Sequence, residues 1–334
     1  MTDRISAIME SLEAEGKNAV QAPERLYRAL GASAVGVRAG YIPMLDILEL
    51  LIEIPAQWSG NSVIPEWRGM GHEVIALGLP PREDASHLRL YLLEPEHREV
   101  FLLVCEDIVS ALEGITDTEI RLEKFESCLL RWRRFFECCG PQGLSIERQL
   151  GLIAELTWLQ RVIEAGVNPY RAVNSWKGCE RGYHDFDIQG HVIEVKSTRT
   201  KEPKSVAISS ERQLDNRGLQ SLHLYVLSLF ETETADTTLP RCVESVKSLM
   251  GNSFAATALF REKLISAGYL DRDGFRYSKA YVIKDESLFH VKGDFPRITD
   301  VPSGVAALKY RIILSNCEPF REATDLYLNE LSEL

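Results

Sequence analysis

Hydrophobic and polar residues alternate most strictly along Tyr183–Ser197, YHDFDIQGHVIEVKS. A period of two marks a half-buried strand, and Gly190 supplies the positive φ that a two-residue hairpin loop demands. With the turn at Gln189-Gly190 the register follows: Ile188 faces His191, Asp187 faces Val192, Phe186 faces Ile193 and Asp185 faces Glu194. Side chains alternate between faces, so Phe186, Ile193 and Val195 form a core face, and Asp185, Asp187, Glu194 and Lys196 share the other.

The same reading extends along the rest of the chain. Ile5, Ile8, Met9 and Leu12 recur at helical spacing within residues 2–30. Apolar runs at 48–54, 73–79, 87–94 and 99–109, separated by turn-forming residues, predict strands of an antiparallel, β-rich lobe. Helical stripes predict a long helix over 117–139 and another over 145–165, the second capped by Ser145 and ended by Gly166. SVAIS (205–209) reads as a strand, SSERQL as the start of a helix and LHLYVLSLFE (222–231) as a strand buried at the centre of a sheet. From 240 onward the pattern predicts a helix-rich stretch, two or three strands, a strand over 310–316 and a closing helix, an order compatible with a winged helix. The expected division is a β-rich lobe with its bridging helix (1–140), an α/β core (141–239) and a C-terminal α+β lobe (240–334).

Charge and composition narrow the functional classes. No apolar stretch has the length of a membrane span and the N-terminus lacks an apolar leader, which predicts a cytoplasmic chain without membrane partners. Its seven cysteines have neither disulfide-framework nor zinc spacing. The net charge of −11 argues against nucleic-acid binding, but its distribution does not. Residues 171–217 hold nine basic and seven acidic side chains, so this window is +2 and the remainder −13.

The hairpin's polar face carries the candidate chemistry. Carboxylates directly opposite on a sheet lie roughly 4.5–5.5 Å apart at Cβ and destabilise it. A hard divalent cation turns that repulsion into a site, whereas without one the face is a solvated edge with Lys196 neutralising Glu194. Glu155 falls on the apolar stripe of the 145–165 helix, between Leu152 and Leu159, where it either reaches Arg161 at the stripe's edge or points toward the hairpin.

Glu155 on a helix, then Asp185, then Glu194-x-Lys196, followed by helix and strand, resembles the PD-(D/E)XK nuclease superfamily. The stretch GLIAELTWL…NSWKG…HDFDI…IEVKST…ISSERQL resembles one bacterial family within it, of unknown function, whose relatives lie near methyltransferases and ATPases in restriction-like defence islands. The resemblance implies a restriction-endonuclease-like core with a mixed central sheet flanked by helices. It implies that Asp185, Glu194 and the carbonyl of Val195 hold one or two Mg²⁺ or Mn²⁺ ions, with Glu155 as a buttress or second-metal ligand. Lys196 would orient or deprotonate water or stabilise the pentavalent state, its pKa lowered beside a metal, and Gln213 would position Lys196 or the backbone. Lys177, Arg199, Lys201 and Lys204 would follow DNA phosphates. Asp187, on the same face, leaves the choice of aspartate open, and Asp185 is preferred because it lies opposite Glu194. The implied activity is Mg²⁺-dependent DNA cleavage in restriction or anti-phage defence, with methyltransferase or ATPase partners and a possible homodimer. The other reading is a catalytically silent nuclease-fold subunit for DNA binding or assembly.

Overall fold

The computed structural model describes residues 4–334 apart from 22, 31–35, 56–57, 59–63, 65–68, 78–84, 139–142, 181, 200–203, 234 and 306, and apart from the side chains of residues 118, 138, 272 and 273. The chain falls into two compact units, Met1–Glu137 and Cys138–Leu334. No helix among the described residues is long and apolar enough to cross a membrane.

The first unit holds α1 (Arg4–Asn18), the strands β1 (Leu26–Ala29), β2 (Val37–Ile42), β3 (Ile47–Ile54), β4 (Met70–Ala76) and β5 (Ser86–Leu92), then α2 (Arg98–Leu112) and α3 (Thr118–Cys138). Its sheet is wholly antiparallel in the order β1-β2-β3-β5-β4. The run at 99–109 is helical rather than extended. Phe101, Val104, Cys105, Ile108, Val109 and Leu112 are its buried residues, a spacing of three and four that seats one helical face in the core. A short, strongly apolar run hides that period, because nearly every register of it looks buried.

The second unit follows with α4 (Ile146–Glu164), α5 (Pro169–Ser175), β6 (Phe186–Ile188), β7 (His191–Thr198), β8 (Ser205–Ile208), β9 (Ser221–Glu231), α6 (Leu239–Leu249), α7 (Phe254–Ser266), β10 (Tyr281–His290), β11 (Tyr310–Ile313), β12 (Arg321–Glu322) and α8 (Thr324–Glu333). Its central sheet has the order β12-β10-β9-β7-β6 and is mixed: β7 and β9 run parallel and every other pair is antiparallel. Residues 240–334, expected to form a lobe of their own, supply β10 and β12 to this sheet, and β10 pairs along the length of β9 rather than forming the wing of a winged helix. That pairing joins segments far apart in sequence, which local periodicity does not register.

Two cores sandwich the sheet. On one face Ile193, Val195, Tyr225, Leu227 and Leu288 pack with helical residues that include Leu152, Leu156, Leu159 and Leu328. On the other, Val192, Leu222, Leu224, Val226 and Phe289 pack against Val206 and Ile208 of β8 and Ile312 of β11, which form a separate two-stranded ribbon. β9 is buried on both faces, as an uninterrupted apolar strand requires. The architecture is α+β, a mixed sheet with helices on one side and a small ribbon on the other.

Candidate active site

The hairpin adopts the register its sequence dictates: Phe186 pairs with Ile193, Asp187 with Val192 and Ile188 with His191. Gln189 and Gly190 both take positive φ, 54° and 85°, as the tight turn demands. Asp187 serves this turn, because its Oδ1 accepts the Gly190 amide at 2.8 Å. Its exposed carboxylate is thereby committed away from the other acids, which answers which of the two aspartates belongs with them.

Strand β6 ends at Phe186, and Asp185 begins the site. Its amide still donates to the Ile193 carbonyl (3.2 Å), but the next position on β7 is served by a side chain: Asp185 Oδ2 accepts the Val195 amide at 2.7 Å. The second half of β7 is thus an open edge, with a carboxylate standing in for a strand. The Asp185 carbonyl in turn accepts the amides of Lys177 (2.7 Å) and Gly178 (3.0 Å), which fastens the segment after α5 over the aspartate.

Ser145 caps α4 by accepting the Arg148 amide, and the buried stripe of that helix directs Glu155 to the same point. Arg161, the alternative partner for Glu155, instead pairs with Glu286 (3.0 Å) and Asp325 (2.5 Å). Glu155 Oε2 accepts the Trp176 indole N–H at 2.6 Å. A Cβ built on Gly178 would lie 2.5 Å from Asp185 Oδ1 and 3.1 Å from Glu155 Oε2, so the two carboxylates converge on this one glycine. Glu194, 1% exposed, bonds Lys196 Nζ through Oε1, and its buried Oε2 has no hydrogen-bond partner among the described residues.

The electrostatics follow from three acids and one amine in a confined space. Burial, then the Asp185 charge, pushes Glu155 up to about 8, against the pull of the Trp176 N–H and Lys196. Burial and Asp185 likewise push Glu194 up to about 8 despite Lys196. Asp185 is raised by burial, with Lys196 and the Val195 amide opposing. Burial pulls Lys196 down, but Glu194, Asp185 and Glu155 outweigh it and leave it above an ordinary lysine. In the protein alone Lys196 is therefore a held cation; the lowered amine expected from sequence belongs to the metal-bound site. The protein alone carries a surplus of carboxylate over cation that it relieves by retaining protons.

Asp185, Glu155 and Lys196 line an open cleft of about 830 Å³, together with Val195 and Arg199 from β7 and beyond, Ser205 and Ala207 from the ribbon, and Arg311. Arg311 donates to the Ser205 hydroxyl (2.9 Å) and carbonyl (3.1 Å) and adds a cation that no motif marks in the sequence. Of the other predicted contacts, Arg199 lies 3.5 Å from Glu231, Lys204 3.4 Å from Asp285 and Lys177 3.9 Å from Glu180, while Lys201 lies outside the described residues. Neither Lys177 nor Lys204 is part of the cleft wall, and Glu194 lies buried behind Lys196 rather than on it. Gln213 sits in a single 3-10 turn rather than a helix, and its Oε1 accepts the Ser209 amide at 2.8 Å, so it closes its own loop and does not reach Lys196.

The donor set fits a hard divalent cation. The candidate donors are all oxygens, three carboxylates and the Val195 carbonyl; one carboxylate oxygen is buried with no hydrogen-bond partner among the described residues, and the trapped protons are what a cation would displace. Trp176 and Gly178 are the residues that motif reasoning left without a role: the first anchors Glu155 and the second leaves room for both acids. No curated protein and no solved structure matches the chain. The family model described as "Putative PD-(D/E)XK family member, (DUF4420)" matches residues 59–315, most of the chain and parts of both units. On that match, with the mixed sheet and the acid cluster already in view, the chain belongs to the PD-(D/E)XK family DUF4420.

Proposed function

We propose that this chain is a divalent-metal-dependent DNA endonuclease that hydrolyses phosphodiester bonds as the cutting component of a bacterial restriction or anti-phage system. The observation that carries the reading is the convergence of Asp185 and Glu155 on Gly178, beside the buried Glu194–Lys196 pair. A structural ion pair would not be built with three acids to one amine.

Asp185 and Glu194, with the Val195 carbonyl, are the residues that would hold Mg²⁺ or Mn²⁺, and Glu155 borders the same position from α4. The ion, when bound, supplies Lewis acidity that eases deprotonation of water and offsets charge building on the phosphoryl oxygens. Lys196 acts as a fixed cation: held protonated by its acidic neighbours, it presents Nζ to phosphoryl oxygen or orients the attacking water. Trp176 fixes the Glu155 carboxylate and the Val195 amide fixes Asp185, so neither acid must reorganise when substrate enters. Arg199, Arg311 and Lys204 follow backbone phosphates, which makes affinity fall with salt and leaves it independent of sequence. Methyltransferase and ATPase partners, and a homodimer that sets two clefts against opposite strands, belong to the same proposal.

The experiment is supercoiled-plasmid nicking with and without Mg²⁺, using methylated and unmethylated DNA, for the wild type and Lys196→Ala. Mg²⁺-dependent nicking that disappears in the variant supports the reading. Undiminished cleavage by Lys196→Ala refutes the role given to the amine. A wild type that neither cleaves nor shows a Mn²⁺-dependent melting shift supports the silent-subunit reading instead.

A further inference from the structure

A second cluster lies on the helical face of the same sheet and takes no part in the cleft. His223 on β9 and His290 on β10 sit directly opposite each other in register, with ring centroids 4.4 Å apart. The two-residue strand β12 brings Glu322 beside them through its pairing with Leu288. The carboxylate divides its oxygens: Oε2 lies 3.1 Å from His223 Nε2 and Oε1 lies 2.9 Å from His290 Nδ1. One ligand atom from each of the three residues falls within 4.8 Å of the others. Along β9, His223 follows the alternation of Tyr225 and Leu227, which point into the helical core, so it faces away from the ribbon side of the sheet.

We propose that His223, His290 and Glu322 form a binding site for a borderline divalent ion of the Zn²⁺ type, separate from the carboxylate centre of the cleft. The donor set is the first reason. Two imidazoles and a carboxylate are the ligands of Zn²⁺, Co²⁺ or Ni²⁺, whereas Mg²⁺ and Ca²⁺ select oxygen. The fold has thus separated a nitrogen-rich ligand set from an oxygen-only one. The second reason is burial: His223 is 1% exposed and its Nδ1 has no partner among the described residues, so this cluster supplies the polar anchoring of the buried ring. The third is that a cation already gathers there. Lys292 Nζ lies 3.1 Å from His290 Nδ1 and 3.4 Å from Glu322 Oε1, on a side chain that is 58% exposed and able to swing out. A tethered ammonium beside the Glu322 carboxylate marks the local potential, and it would compete with a metal that replaced the ring N–H hydrogens.

The site would staple three strands. β12 is two residues long and leads directly into α8, whose Tyr327 packs on His223 at 4.0 Å between ring centroids. A metal bound to Glu322 would fix that short edge strand to β9 and β10, and with it the chain entering α8.

The test uses the untagged full chain, stripped of metal by chelator dialysis and titrated with Zn²⁺ by calorimetry in excess Mg²⁺, with Co²⁺ absorption as a second readout. One Zn²⁺ equivalent should bind despite the Mg²⁺. Loss of a ligand in His290→Ala or Glu322→Gln, both at partly exposed positions, should weaken binding by at least the roughly 10–100-fold that losing a ligand's own hydrogen-bond partner costs. Lys292→Ala should tighten it roughly fivefold by removing a competing unit charge. Asp185→Asn should leave it unchanged, which separates this site from the cleft and keeps the result independent of whether the chain cuts DNA. Absence of Zn²⁺ binding in excess Mg²⁺ overturns the proposal. So does binding that survives His290→Ala and Glu322→Gln, whatever Asp185→Asn does to it.

Discussion

Each unit buries acids in its own sheet, and the two solve the problem differently. In the first, Glu49 on β3 is fully buried, and Arg89 on β5 reaches both it and Glu73 on β4 while its guanidinium stacks 4.2 Å from the Tyr91 ring. One planar, permanently charged fork serves two carboxylates and an aromatic face at once. In the second, Lys196 bonds only Glu194 among the described residues, and Asp185 and Glu155 act on the same amine from a distance. The contrast lies in how many acids the resident cation bonds directly: both of two in the first unit, and one of three in the second.

The sharpest way to break that comparison is to remove each cation. Lys196→Ala should lower Mg²⁺-dependent plasmid nicking by about 10²–10⁴-fold, the range of a positioned catalytic group, while circular dichroism and melting report an intact fold. Arg89→Leu should do the converse. Stranding a buried carboxylate costs about 3–5 kcal/mol, which equilibrium urea unfolding would register as a lowered midpoint. If Lys196→Ala destabilised the protein as much as Arg89→Leu, the two clusters would not differ in kind.

A smaller effect concerns pH. Glu155 and Glu194 are raised in the folded protein from 4.5 to about 8, so their contribution to stability is fully present below pH 4.5 and is lost as pH rises through 8. Melting of the metal-free protein should therefore decline over that window, and the stabilisation conferred by Mg²⁺ should grow, because bound metal needs the deprotonated acids. A Mg²⁺ shift in melting temperature that is the same at pH 6 and pH 9 would contradict the raised carboxyls. The smallest effect sharpens the choice of aspartate. Asp187→Ala should cost about 1 kcal/mol, the turn hydrogen bond to Gly190, and leave nicking at the wild-type rate.

Much of the core was legible because its signals are local. Alternation and one glycine were enough to set the hairpin register residue by residue, and Ser145 with its stripe set α4, while the direction of Glu155 stayed open until the structure showed Arg161 engaged elsewhere. What escaped has two physical origins. Some short segments carry contradictory local signals. The apolar run at 99–109 suits strand and helix equally, and SSERQL offers a cap at Ser210 but yields only a 3-10 turn. Other features exist only after distant segments meet. The pairing of β10 with β9, Arg311 at the cleft wall, the Trp176 bond to Glu155 and the gathering of His223, His290 and Glu322 leave no periodic trace.

Gly178 carries a last consequence. No left-handed backbone angle requires glycine there; what a methyl group would meet is the pair of acidic oxygens at 2.5 and 3.1 Å. Alanine at this position would therefore keep every charge and every donor, yet push both oxygens off their shared point and press on the Asp185 backbone at 3.3 Å. Substitution of a single hydrogen would tune spacing alone, and so ask how much of the chemistry resides in alignment and how much in charge.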